Sequence, residues 1–141
     1  ADPVRGAELA RGQINQGADV IIQAAGGTGI GVLQAAADAG VLGVGTDSNQ
    51  NGLHPGKVLT SIRKRVDNAV FDSFSAARIG KFEPGIQVLG LKEGGMDWVL
   101  DADNKALISD EMKAAAETAV QAISDGTIQV HDVVTGGPCP V

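Results

Sequence analysis

A carboxylate, a glycine-rich corner and a lysine are the groups in this sequence with the types and spacing to hold a polar ligand. Asp47 ends the apolar run Val41 to Thr46 and is followed by Ser48 and Asn49. An ionised carboxylate in that setting can accept hydrogen bonds from two neighbouring hydroxyls, and charge-assisted bonds of this kind are about twice as strong as neutral ones. The geometry suits the diol of a sugar; capping a turn or helix is the competing role for the same side chain. The segment Gly26-Gly27-Thr28-Gly29-Ile30-Gly31 bares its backbone where a strand passes into a helix, so its amides can approach a phosphate or a hydroxyl. A tight turn that merely packs the helix onto a sheet would use the same glycines. Lys64, reached through Val58-Leu59-Thr60-Ser61, could meet a ligand oxygen in the same cleft or simply stay in water. Gly26, Gly27, Thr28, Asp47 and Lys64 are therefore the candidate ligand-binding residues, with Ser61 beside Lys64 and Lys92 as a weaker version of it.

Other chemistries are excluded by what the chain lacks. An acid about 20 residues beyond a glycine turn is also how a nicotinamide enzyme holds ribose, so position alone does not separate capture from catalysis. The letters, however, fail that pattern: neither Gly27-Thr28-Gly29 nor Gly29-Ile30-Gly31 has a glycine three residues further on, and Val32 stands where a phosphate-binding loop needs lysine. There is no Gly-x-Ser-x-Gly elbow, no Cys/His pair and no pair of carboxylates on a helix face, so no catalytic constellation and no cofactor are expected. One cysteine, Cys139, excludes an internal disulfide, and the two histidines, His54 and His131, have no ligand-spaced neighbours, so no metal is expected. A net charge of -6 argues against a nucleic-acid partner. The one basic cluster, Arg63-Lys64-Arg65, reads as the solvated start of a helix. With 43% hydrophobic and 20% charged residues the composition is that of a soluble globular domain.

The elements that must position these groups follow from periodicity. Asp2 and Pro3 are a good N-cap and first helical residue, and Val4, Leu9, Ala10 and Ile14 continue at helical spacing to Gly17. Residues 19 to 24 read as a buried strand, Thr28 as the cap of a helix running to Gly40, and 41 to 46 as a second buried strand. Residues 48 to 56 are turn formers; a short strand spans 57 to 60, and Ile62, Val66, Val70, Phe74 and Ala77 mark an amphipathic helix from Ser61 to Gly80. Strands at 86 to 91 and 98 to 100 are expected to form a hairpin, followed by a helix capped by Ser109 with Met112, Ala116, Ala119, Val120 and Ile123 on its buried face. A closing strand spans 127 to 130. Strands alternating with helices make an α/β fold, with a mostly parallel sheet flanked by helices. Residues 1 to 132 form the ligand-binding lobe, and 133 to 141 a Gly/Pro tail expected to be mobile.

Four blocks in order, Ala25-Gly26-Gly27-Thr28-Gly29-Ile30-Gly31-Val32, Gly45-Thr46-Asp47-Ser48-Asn49-Gln50, Val58 through Asp67, and Val88-Leu89-Gly90-Leu91-Lys92-Glu93-Gly94-Gly95, resemble the basic membrane protein family. These are purine-nucleoside-binding proteins of bacterial ABC transporters with the type I periplasmic-binding fold, two α/β lobes closing on a nucleoside. The resemblance, which runs from residue 2 to about 130, implies that the chain is the C-terminal lobe, with an N-terminal lobe ahead of Ala1. It implies that Gly27 and its neighbours line the cleft, that Asp47 holds the ribose hydroxyls and that Lys64 adds a polar contact. It further implies that the other lobe supplies aromatic stacking and a base-reading carboxylate, that an ABC transporter permease receives the solute, and that the protein is a periplasmic or cell-surface lipoprotein. Asn49 departs from the family, which often has an acid there. The alternatives are a Rossmann-like cofactor-binding enzyme domain and a structural lobe that oligomerises with copies of itself.

Overall fold

The computed structural model describes residues 1–138, and its centre is a four-stranded sheet in the order β1 (Val20–Ile22), β2 (Leu42–Asp47), β3 (Val58–Lys64), β4 (Met96–Trp98). β1, β2 and β3 run parallel, and β4 lies antiparallel to β3. Helices α1 (Pro3–Asn15) and α2 (Gly29–Ala39) pack on one another and on the sheet, which makes the chain α/β with a mostly parallel sheet, as its residue pattern predicts.

Local chemistry explains where these elements start and stop. The Asp2 carboxylate accepts the Arg5 N–H at 3.0 Å, and Pro3 loses nothing at a position whose N–H has no helical partner. Gly40 ends α2 in the left-handed region at φ 77°, where a side chain would be strained. The two helices approach until backbones touch, since a Cβ on Gly31 would overlap the Pro3 carbonyl. Between them and the sheet, Ile21 is buried with Ala10, Val32 and Ala35, and Leu33, Ala36, Val44 and Val58 extend the core. Burying each large aliphatic side chain contributes roughly 1.5–3 kcal/mol before chain entropy is counted.

Several expectations are corrected. β1 is an edge strand in which only Ile21 is buried; Val20 and Ile22, which point to the other side of the sheet, are exposed. β3 runs on to Lys64, so the helix α3 begins at Val66 and ends at Arg78. β4 holds the extra residues in strand form by pairing Ile62 with Trp98, Arg63 with Asp97 and Lys64 with Met96, and these cross-strand bonds override the helical spacing of Ile62. The expected strand at 86 to 91 does not form, so there is no hairpin with β4, and neither does the expected strand at 127 to 130.

Helix α4 (Asp110–Ser124) starts where expected, with Ser109 Oγ accepting the Met112 N–H at 3.2 Å. Yet neither α3 nor α4 has a buried residue, and most of the apolar face predicted for each stays exposed or only partly covered. A single helical turn, α5 (Val133–Gly136), falls within the stretch expected as a mobile tail, and Cys139, Pro140 and Val141 lie outside the described residues. Among the described residues no helix is long and apolar enough to cross a membrane.

Candidate functional site

The carboxyl ends of the three parallel strands meet at a cavity of about 250 Å³. Ala24 and Gly26 line it after β1, Thr46 and Asp47 at the end of β2, Ile62 and Lys64 at the end of β3, and Met96 from β4. Successive strand residues face opposite sides, so Ile62 and Lys64 share the cavity side while Arg63 points away. The place is the one where open parallel sheets collect ligands.

Asp47 is the one non-glycine residue with positive φ among those described, at 71°. Aspartate tolerates this left-handed conformation better than most residues, and it breaks the strand at the point where the carboxylate reaches the cavity. Asp47 Oδ1 lies 2.8 Å from Lys64 Nζ, with the two side chains 51% and 62% exposed. An ion pair so exposed is worth about 0–1 kcal/mol, so it does little for the fold. The carboxylate makes no other hydrogen bond among the described residues, and the ammonium has donors to spare. What the pair offers is an acceptor and a donor side by side, facing water.

The glycine corner divides into two parts. Gly26, at φ 53°, opens the 3-10 turn Gly26–Thr28, and a Cβ there would meet nothing within 4 Å. This is bare backbone facing the cavity. Gly27 and Thr28 do not line it: a Cβ on Gly27 would stand 2.9 Å from Ala1 Cβ, and the Thr28 hydroxyl accepts the Asp2 N–H at 2.8 Å. Thr28 therefore ties α1 to the corner and does not cap α2 through its side chain. Gly29 and Gly31 are small because the Gln23 amide and the Pro3 carbonyl occupy the space a side chain would need.

Of the five candidates the structure thus brings together Gly26, Asp47 and Lys64. Ser61 is a buried strand residue; its hydroxyl accepts the Gln50 N–H at 3.0 Å and donates to Asn51 Oδ1 at 2.8 Å. Lys92 lies outside the cavity in the turn before β4.

The loops that carry the cavity residues are joined by a buried polar spine that sequence reasoning missed. Gln23, Asn51, Ser61 and Asn104 are all buried, and Gln50 joins Gln23 to Ser61. The loop 48 to 56 reads as turn formers, but Asn49 Nδ2 and Asn51 Nδ2 donate to Asp101 Oδ2 at 2.8 and 3.2 Å. The Asn49 amide, and after it the Asp103 backbone N–H and the Asn51 amide, hold the Asp101 carboxyl below its usual range. An acid at position 49 would set two carboxylates against each other here. The available signal was the amide run Asn49-Gln50-Asn51 beside a strand-terminal acid, and a lone Gln23 in an apolar run.

The basic cluster is not the solvated start of a helix. Arg63 sits in β3 and grips Asp97 of β4 with two hydrogen bonds, Nε to Oδ1 at 2.9 Å and a terminal nitrogen to Oδ2 at 2.7 Å. Arg65 reaches Asp97 at 3.4 Å and Asp67 at 2.8 Å. Hydrogen bonding from Arg63 keeps the Asp97 carboxyl below its usual range, and that from Arg65 lowers Asp67 to about 2; both guanidinium groups are pushed up in return. The cluster rivets β4 to β3. No group of His, Cys, Asp and Glu able to hold a metal ion occurs among the described residues.

Comparison with known proteins is consistent along the chain. Residues 1–133 match the Bmp family model, described as "ABC transporter substrate-binding protein PnrA-like". Basic membrane protein D of Borreliella burgdorferi is 33% identical over 89% of this chain and 38% of its own length. The ABC transporter nucleoside-binding protein BmpA of Lactococcus lactis is 34% identical over 92% of the chain and 41% of its own length. An ABC transporter solute-binding protein of Aeropyrum pernix, solved by crystallography, superposes with a TM-score of 0.76 at 26% identity, covering 91% of this chain and 44% of that one. The chain spans about two fifths of the length of these curated relatives.

Proposed function

This chain belongs to the Bmp family of PnrA-like ABC transporter substrate-binding proteins, and from that premise we propose that its cavity is one wall of a nucleoside site. The observation that carries the reading is the Asp47 carboxylate, half exposed at a strand end with Lys64 as its one partner among the described residues, in a cavity that the open backbone of Gly26 also lines. A ribose ring presents two adjacent hydroxyls, and a carboxylate with free acceptor sites can take a hydrogen bond from each. Lys64 donates to a ring or hydroxyl oxygen from the same side. A sugar without vicinal hydroxyls forfeits one of these bonds.

The wall is incomplete by itself. Pockets for small molecules usually measure about 300–1,000 Å³ and enclose most of the ligand, which exceeds what this cavity offers. No aromatic side chain lines it, so stacking on a base comes from a second lobe that closes over the site. The bare apolar faces of α3 and α4 are surfaces for that same lobe to cover. The whole protein then captures a purine nucleoside or similar ribosyl ligand outside the cytoplasm, as a periplasmic or surface-anchored protein, and passes it to an ABC transporter permease. The relative named as nucleoside-binding supports this ligand class.

Calorimetric titration of the full-length protein with adenosine, guanosine and inosine, and separately with free ribose, tests the reading. Ribonucleosides should bind with heat release, and Asp47→Asn should weaken them. No heat from any of the four would overturn it.

A further inference from the structure

The two loops that carry Gly26 and Asp47 are tied together by a pair of side-chain amides. The Ala25 N–H donates to Gln23 Oε1 at 3.0 Å, Gln23 Nε2 donates to Gln50 Oε1 at 3.0 Å, and the Thr46 N–H donates to that same Gln50 oxygen at 3.0 Å. Ala25 immediately precedes Gly26, and Thr46 immediately precedes Asp47. Three hydrogen bonds thus lead from the backbone of the glycine corner to the backbone of the carboxylate.

The direction of this bridge is determined by chemistry. Backbone N–H groups only donate, so Ala25 and Thr46 each require an oxygen from the amide that faces them. With both oxygens assigned, the Gln23 NH2 group is what remains to join the two side chains. Rotating either amide would set donor against donor in a site where Gln23 is 4% exposed, and an unmade buried bond is costly. The backbone N–H of Gln50 is held in turn by Ser61 Oγ at 3.0 Å.

Two glycines make room for the bridge. A Cβ on Gly29 would overlap the Gln23 amide, and one on Gly45 would stand 2.6 Å from Ser61 Oγ and 2.8 and 2.9 Å from Gln50 Cβ and Oε1. Neither glycine has positive φ; Gly29 is ordinarily helical at φ -62°. Their smallness is explained by the side chains they leave space for, the Gln23 amide at Gly29 and Ser61 Oγ with Gln50 at Gly45, and not by backbone conformation.

We infer that Gln23 and Gln50 are positioning residues that set the distance between the glycine corner and the Asp47 carboxylate, and so set discrimination between ribose and deoxyribose. The inference rests on the nucleoside reading above. Neither side chain touches the ligand. A carboxylate shared between two hydroxyls must keep both bonds near 2.5–3.0 Å, and a loop displaced by a fraction of an ångström keeps only one. Release of the bridge therefore penalises the ligand with two hydroxyls more than the ligand with one.

The test is calorimetry on the full-length protein with adenosine, guanosine and inosine and their 2′-deoxy counterparts, comparing wild type with Gln23→Met, Gln50→Met, the double variant and Gly29→Ala. Each single variant should lower ribonucleoside affinity about tenfold and deoxynucleoside affinity by less than about threefold, narrowing the ratio. The double variant should be little worse than either single one, because both break one bridge. Equal losses for both sugars, additive losses in the double variant, or an unchanged ratio would overturn this inference alone. Should the methionine variants fail to fold, Gly29→Ala decides by itself: it displaces the Gln23 amide while favouring the helix, and an unchanged ratio there overturns the inference. Wild-type protein that binds no nucleoside, or that does not prefer ribose, would overturn the nucleoside reading and this inference with it.

Discussion

Helices α2 and α3 are both amphipathic in sequence, yet their apolar residues end in different surroundings. On α2, Val32, Leu33, Ala35 and Ala36 are buried against α1 and the sheet. On α3, Val66, Val70 and Phe74 are exposed, Phe74 by 75%, and the segment that follows leaves Ile86 99% exposed. An apolar stripe states that a face needs covering; it does not state what covers it. Around β1, β2 and β3 the covering element lies close in sequence, whereas among the described residues nothing covers α3 or α4 closely enough to bury a residue of either.

The largest expected effect tests that contrast directly. Leu33→Ala should destabilise the chain by about 3 kcal/mol, the usual scale for a cavity left by a fully buried leucine, whereas Phe74→Ala should change stability by less than about 0.5 kcal/mol. Urea unfolding followed by the fluorescence of Trp98 compares the two. Similar losses would erase the distinction between the regions.

Next in size is the polar spine that anchors the well-packed region. Asn104 Nδ2 donates to the carbonyls of Leu59 and Val99 at 2.9 and 2.8 Å, and its oxygen accepts the Asp101 N–H at 2.8 Å. Asn104→Ala strands these buried groups and should cost about 2 kcal/mol by the same measurement.

A smaller and more selective change is expected at the site. Asp47→Asn keeps a residue that tolerates positive φ and removes the charge, so ribonucleoside affinity in the full-length protein should fall about tenfold while stability stays within about 0.5 kcal/mol. Parallel calorimetry and unfolding would separate the two; equal loss of stability would make Asp47 a structural residue.

The mildest effect is acid loosening of β4. The carboxyl groups of Asp97 and Asp67 are held below their usual range in the folded chain, Asp67 at about 2 against 3.8. Groups with depressed values contribute stability that is complete above the unfolded value and is lost as pH falls through the folded one. Between about pH 4 and pH 2 these pairs should weaken, and hydrogen exchange at Val99, whose N–H donates to the Ser61 carbonyl beside this cluster, should quicken before α1 and α2 melt. Simultaneous loss of all elements would show that β4 belongs to the same cooperative unit.

Much of the architecture could be read in advance where local signals and tertiary demands agreed. Asp2 and Ser109 cap as expected, Gly40 ends α2, and Asp47 stands at the end of β2. Reading failed where partners distant in sequence decided. Ile62 fits a helical stripe and lies in a strand because Trp98 pairs with it, and Arg63 is drawn into that strand by Asp97. Gln50 and Asn51 read as turn formers and Gln23 as one more residue of a buried strand, since the partners of their amides come from other segments.

The amino-acid sequence by itself determined the α/β alternation, the caps and the presence of an acid and a bare glycine at neighbouring strand ends, because each depends on residues within one turn or one strand. Only the tertiary structure decided that Lys64 faces Asp47, that Thr28 serves α1 and not the cavity, and that a bridge of amides ties the two loops of the site together. Those outcomes depend on hydrogen bonds and packing between segments far apart along the chain, where many partners satisfy the same local pattern and only the folded arrangement selects one.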